Sequence, residues 1–154
     1  MKNELSVHTD QHYMRQAYRE AEKALECDEV PVGAVIVSQN TIIARSHNQT
    51  EMLTDVTAHA EILAITAAAT HLGTKFLDAC TLYVTLEPCP MCAGAIRHAR
   101  FNKVVYGAAD ERHGFMRYGK EMLHPSTSLE YGVLHDECAG ILQHFFARKR
   151  LLQH

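Results

Sequence analysis

The chain has 154 residues, five cysteines, no tryptophan and a formal net charge of −3. That length suits a single domain spanning 1–154, which can bury roughly 70% of its unfolded surface and needs no disulfide staples. The charge excludes a globally basic nucleic-acid binder. The longest clean apolar run, Val30 to Val37, is far short of the ~18 residues of a membrane span, so no membrane partner is expected.

Met1 to Asp10 is polar and lacks the apolar core of a secretory signal. Asp10 can cap a first helix on which Met14, Ala17, Tyr18, Ala21 and Leu25 recur at helical spacing. Val30 to Val37 reads as a buried strand, Gln39-Asn40 as a turn, and Thr41 to Ser46 as a second strand returning beside the first. Residues 47 to 57 are polar and irregular. Ala58 to Leu72 is apolar almost all round and is expected as a buried helix ended by Gly73. Thr81 to Thr85 alternates as a strand. Pro90 suits the first turn of a helix running to about Ala99. Lys103 to Gly107 is another strand, 109 to 127 a long loop with one helical turn, and Leu129 to Val133 a short edge strand. Asp136 can cap a last helix with Cys138, Ile141, Leu142, Phe145 and Leu152 on one face. Strands joined through helices run parallel by right-handed crossovers. The expected fold is therefore α/β, a three-layer α-β-α sandwich around a mixed sheet of about five strands.

The cysteines are Cys27, Cys80, Cys89, Cys92 and Cys138. An odd count without a signal peptide argues for free thiols and metal ligands in a reducing compartment, hence the cytoplasm. Charge is uneven along the chain. Residues 1–60 carry 5 basic and 9 acidic side chains, whereas residues 97–154 carry 9 basic and 6 acidic. Ordinary solvated surface explains any single cluster, and a basic rim around one cleft is the alternative.

Two short stretches carry the chemistry: His59-Ala60-Glu61, and Pro88-Cys89-Pro90-Met91-Cys92 about one helix and one strand later. Cys89 and Cys92, at i and i+3, put both sulfurs on one side of a helix start. There the free N–H groups and the positive helix end favour thiolates. His59 adds a nitrogen from another helix. Three protein ligands leave the fourth tetrahedral position of a zinc ion open, as in catalytic sites, where the ion can lower the pKa of water from 15.7 to about 7. Glu61 is the candidate general acid/base. A regular helix would set it about 200° from His59, so the pair requires the looser geometry of a helix start.

Each motif alone has a plainer explanation. A lone His-x-Glu is mostly structural, and a lone Cys-x-x-Cys could be a redox pair or half of a structural zinc site. A structural site would want a fourth ligand, with Cys80 and Cys138 as candidates; otherwise these and Cys27 are core residues. Jointly the two stretches favour catalytic zinc. Their combination is a known signature of zinc-dependent nucleobase deaminases.

At His59-Ala60-Glu61 and Thr85-Leu86-Glu87-Pro88-Cys89-Pro90-Met91-Cys92-Ala93-Gly94-Ala95-Ile96 the chain resembles the cytidine/deoxycytidylate deaminase superfamily. Within it, Glu29 to Val35, His47-Asn48, Val104 to Asp110 and the tail around Asp136 to Ala139 with Phe145-Phe146 are most similar to the bacterial tRNA-specific adenosine deaminases. The resemblance runs from about Tyr13 to Arg150. It implies hydrolytic deamination of adenosine to inosine at the wobble position of a tRNA anticodon stem-loop. It also implies Zn2+, one per subunit of a homodimer, held by His59, Cys89 and Cys92, with Glu61 relaying protons. Asn48 and the Ala60 backbone would meet the base, Val30 and Leu86 would form apolar walls, and Asp110 would reach the ribose. Phe146, Arg148, Lys149 and Arg150 would follow the RNA backbone, with Phe145 packing inside. Val56, where proline is common, and Pro90, which is common in guanine deaminases, depart from the tRNA branch. The alternative is a free-base or nucleoside deaminase, guanine first, then cytosine or cytidine.

Overall fold

The computed structural model describes residues 8–153. The polar stretch Met1 to Asp10 therefore falls mostly outside the described residues, as does His154. In chain order the elements are α1 (Asp10–Glu26), β1 (Gly33–Ser38), β2 (Thr41–His47), α2 (Ala60–Leu72), β3 (Cys80–Leu86), α3 (Pro90–Ala99), β4 (Lys103–Ala108), β5 (Ser128–Tyr131) and α4 (His135–Leu152). The five strands form one mixed sheet in the order β2-β1-β3-β4-β5. β1 is antiparallel to both β2 and β3, and β3, β4 and β5 are parallel to one another.

Strand alternation separates the layers. Ala34, Ile36, Leu82, Val84 and Val104 point into a core shared with Ala60, Ala64 and Ala68 of α2 and Ala93 and Ile96 of α3. Val35, Val37, Tyr83 and Val105 point the other way, onto Tyr13, Met14 and Ala17 of α1 and Cys138 of α4. Every second side chain thus leaves the sheet on the opposite face, and both faces need helical cover. The expected three-layer α-β-α sandwich is the observed one.

Local signals account for most of the boundaries. Thr9 caps α1 by accepting from the His12 N–H at 3.2 Å, and Asp10 is the first helical residue rather than the cap. Gln39 and Asn40 both take positive φ, 51° and 63°, the backbone twist that suits a two-residue hairpin turn. Gly73 ends α2 in the left-handed region at φ 72°. β1 begins at Gly33, not Val30, because Pro31 has no N–H to give a ladder and the Gly33 N–H donates to Thr85 Oγ1 at 3.1 Å. The 109–127 loop holds two short 3-10 turns, Phe115–Arg117 and Lys120–Met122, instead of one.

Four expectations need correction. α2 is not buried all round: Ala60, Glu61, Ala64 and Ala68 face inward, while Thr66 and Ala67 are exposed. Asp136 does not cap α4, because the cap position belongs to Leu134 at φ 55°, and Asp136 sits within the first turn beside the positive helix end. Leu152 is exposed, since the last turn of α4 runs past the sheet. Cys27 is exposed at the end of α1 rather than part of the core.

The arrangement gathers four chain segments at one end of the sheet. The chain enters β1 there through Val30 to Val32 and leaves β2 there toward Asn48, since Gly33 pairs with His47. β3 and β4 also finish there, with Leu86 opposite Ala108. Open α/β sheets bind ligands in the crevice beyond such strand ends.

Gly33 sets how closely α1 sits on the sheet, because a Cβ there would overlap the Ala17 carbonyl and the Ala21 nitrogen. Gly33→Ala is expected to destabilise the protein by about 2–3 kcal/mol through forced separation of α1 from β1. Urea unfolding should show a lower midpoint with an unchanged slope.

Candidate metal centre and substrate cleft

His59 is the residue immediately before α2, with an extended backbone at φ −76° and ψ 154°. Cys89 holds the same place before α3, at φ −74° and ψ 168°. Neither side chain caps its own helix, so both are free for another use. The extended backbone of His59 also removes the 200° conflict with Glu61. Only Glu61 is helical, and the two residues line one cavity. Pro90, in the first turn of α3, forgoes an N–H that the helix start leaves unpaired anyway.

His59, Cys89 and Cys92 form a group whose donor atoms all lie within 4.8 Å of one another, and it is the one such group among the described residues. His59 Nδ1 is 3.7 Å from Cys89 Sγ and 3.4 Å from Cys92 Sγ. A tetrahedral zinc ion with ordinary Zn–S and Zn–N bonds separates S from N by about 3.6 Å, so the donor set fits that ion. Cys80 and Cys138 are buried and stand outside the group, which leaves three candidate ligands and no fourth among the described residues.

The Cys89 thiol is pulled down to about 4, first by the hydrogen bond from Cys92 and then by His59. Cys92 is pushed up by the same hydrogen bond and by burial. The His59 imidazole is raised by its bond to Cys89. Burial lifts the Glu61 carboxyl to about 7. Glu61 is 4% exposed.

Beside this group lies a cavity of about 270 Å³. All five residues assigned to substrate contact line it: Val30, Asn48, Ala60, Leu86 and Asp110. Asn48 is buried, and its N–H donates to the Val32 carbonyl at 3.0 Å. Asp110 is partly committed already, since Oδ1 accepts from the N–H groups of Arg112 and His113 at 3.2 and 3.0 Å. A larger groove of about 760 Å³ shares Val30, Leu86, Asp110 and His113 with the cavity and extends it along α4.

The tail residues divide. Phe146, Lys149 and Arg150 line the groove, Phe146 being 44% exposed. Arg148 does not line it and is held by Asp28 at 3.5 Å. Lys149 also meets Asp28, at 2.6 Å. Phe145 is buried, as expected of a packing residue.

Sequence reasoning gave no site role to five residues. Val32, Thr50 and His113 line the cavity, and none stands in a ligand or catalytic motif. Glu29 and Glu87 are buried carboxylates that hold the loops on either side of it. An acid flanked by apolar residues at a strand end, as in Leu86-Glu87-Pro88, was the available signal, because such a group is buried only when its oxygens are satisfied.

A sheet with helices on both faces, a His-Cys-Cys group at two helix starts and a buried carboxylate beside an open cavity define a protein of the cytidine deaminase-like class. The family model described as MafB19-like deaminase matches residues 8–150. The tRNA-specific adenosine deaminase of Bacillus subtilis is 47% identical over 92% of this chain and 91% of its own length. A solved structure from work on A-to-I editing by tRNA:A34 deaminases is 45% identical, with a TM-score of 0.80 over 85% of this chain and 99% of that one. Guanine deaminase from Bacillus subtilis matches over a shorter span, 66% of this chain and 65% of that one, at 41% identity and a TM-score of 0.63. The chain belongs to the tRNA-specific adenosine deaminase family.

Cys92→Ser is expected to lose the metal and much of the fold's stability, since structural ligation can be worth ~10 kcal/mol. Metal analysis and thermal unfolding of the variant, beside wild type treated with a chelator, should show matching losses.

Proposed function

We propose that the protein deaminates adenosine to inosine hydrolytically at the wobble position of tRNA. The observation that carries this reading is the His59-Cys89-Cys92 group, of which His59 and Cys89 line the same cavity as Glu61, in a chain of this family. His59 Nδ1 and the sulfurs of Cys89 and Cys92 would hold one Zn2+ per subunit. When bound, the ion supplies Lewis acidity that makes water a nucleophile near neutral pH.

Glu61 is proposed as the proton carrier. Its carboxylate accepts a proton from the attacking water and delivers it to N1 of adenine as C6 becomes tetrahedral. The second water proton follows the same route to the departing N6, so adenosine and water become inosine and ammonia. Leu86 and Val30 exclude bulk water from the base. Asn48 and the Ala60 backbone recognise its polar edge, and the free Asp110 oxygen reaches the ribose. A 2′-hydroxyl at that point distinguishes RNA from DNA.

An anticodon-loop base is already unpaired, so turning it into the cavity costs little. Phe146, Lys149 and Arg150 along the groove supply stacking and phosphate contacts. These groups also account for RNA binding by a chain whose net charge is negative. We also propose a homodimer, supported by the exposed apolar side chains Met52, Leu53, Val56 and Met91 around the start of α2 and α3. A tRNA substrate is consistent with work in the cytoplasm. Among the described residues, no helix is long and apolar enough to cross a membrane.

Glu61→Ala is expected to keep zinc while losing at least 10²–10⁴-fold in turnover. Ammonia release from an anticodon stem-loop with adenosine at the wobble position should exceed release from guanine and from cytidine, assayed side by side. Release from guanine alone would overturn the substrate assignment. Binding of the stem-loop should weaken as salt rises, and Lys149→Ala with Arg150→Ala should flatten that dependence by about one unit of log–log slope for each phosphate contact removed.

A further inference from the structure

Glu87 stands two residues before Cys89 but is not one of the three groups that converge on the metal position. It is 5% exposed. Its two oxygens reach two points on a single loop. Oε1 accepts from the Asp110 N–H at 3.0 Å, and Oε2 accepts from the Met116 N–H at 2.9 Å. Backbone bonds tighten the same loop: the Gly114 N–H donates to the Asp110 carbonyl at 2.8 Å, and the Phe115 N–H to the Pro88 carbonyl at 2.9 Å. Gly114 is required because a Cβ there would overlap the Glu87 carboxylate. Between these anchors the loop presents Asp110 and His113 to the cavity.

The opposite wall uses the same device. Glu29, 2% exposed, accepts from the N–H groups of Glu51 and Met52 at 3.1 and 2.7 Å. That holds the segment that follows Asn48 and Thr50.

We infer that Glu87 is a positioning residue that sets the Asp110–His113 wall of the cleft and with it the fit of the nucleotide around the reacting base. The inference deepens the RNA-deaminase reading and rests on it for the identity of the substrate. Its physical basis is mutual need. Buried carboxylate oxygens must accept hydrogen bonds, and loop N–H groups turned inward must find acceptors. No other acceptor is hydrogen-bonded to the Asp110 and Met116 N–H groups among the described residues. A glutamine side chain offers one carbonyl oxygen and an NH2, so it can serve only one of the two N–H groups and opposes the other donor to donor.

Glu87→Gln separates positioning from chemistry. In the zinc-loaded full-length protein, the amides of Asp110 and Met116 are expected to exchange with solvent ~10-fold faster than in wild type, while those of Glu51 and Met52 stay unchanged. KM for the anticodon stem-loop should rise ~10-fold, with kcat changed less than about threefold and zinc content unaltered. Gly114→Ala presses from the loop side on the same carboxylate and on the Asp110 carbonyl, and leaves α3 untouched. It is expected to give the same exchange pattern and the same rise in KM, and it carries the test if Glu87→Gln does not fold. Unmoved amides at 110 and 116, or a fall in kcat with KM unchanged, would overturn the inference. Amide exchange needs no substrate. A wild-type protein inactive on stem-loops would therefore sink the RNA reading and leave the exchange result to decide the role of Glu87 in the wall.

Discussion

The position of His59 and Cys89 just outside their helices is the constraint on which the rest depends. An extended residue at the start of a helix can turn its side chain across the helix end, where the next residues cannot follow. Two such ends meet at the edge of the sheet, so an imidazole from one and a sulfur from the other come within 3.7 Å. Cys92, one turn into α3, completes the group from beneath at 3.4 Å from the same nitrogen. Because His59 lies outside the helical repeat, Glu61 can share the cavity with it instead of pointing away. A shift of either helix start by one residue would break the group.

The sheet topology makes this meeting possible. β3 and β4 run parallel and finish at the same end, which is also where antiparallel β1 begins and β2 finishes. The segments flanking these strands carry Val30, Asn48 and Asp110, and Leu86 is the last residue of β3. Loops are ordinarily poor places for exact geometry, and here each wall is tied down by a carboxylate buried at its root. One wall is anchored through Glu87 and Pro88, directly before Cys89, and the other through Glu29, directly before Val30.

α4 adds a surface that lies outside the His59-Cys89-Cys92 group. Its inner side, through Cys138, Ile141, Leu142 and Phe145, closes the core. Its outer side extends the cleft into a groove to which α4 gives one half-exposed ring, Phe146, and two cations, Lys149 and Arg150, with Arg112 as a third cation from the facing loop. Asp28 holds Lys149 and Arg148, so only part of the basic tail faces the groove. Positive charge is therefore placed along one path, in keeping with a chain that is acidic overall.

Much of this was legible in the chain. The apolar alternation of the strands, Gln39-Asn40, Gly73 and Pro90 mark elements by local chemistry, and the two ligand stretches carry their own spacing. The resemblance supplied the residues around the base, and the structure brings them to one cavity. The departures fall at helix ends and on one helix face, which local pattern marks only loosely. Leu134 rather than Asp136 precedes α4, Cys27 lies past the end of α1, and one side of an apolar α2 is left uncovered. Glu29 and Glu87 escaped notice because a carboxylate's partners, here backbone N–H groups 22 to 29 residues away, leave no local pattern. The sequence by itself determined the ligand types and the order of strands and helices, since both follow from residue chemistry and short-range periodicity. Only the tertiary structure decided which helix ends meet, which lysine is already paired and which acid holds which wall, because those depend on distances between segments that the chain joins only through the folded sheet.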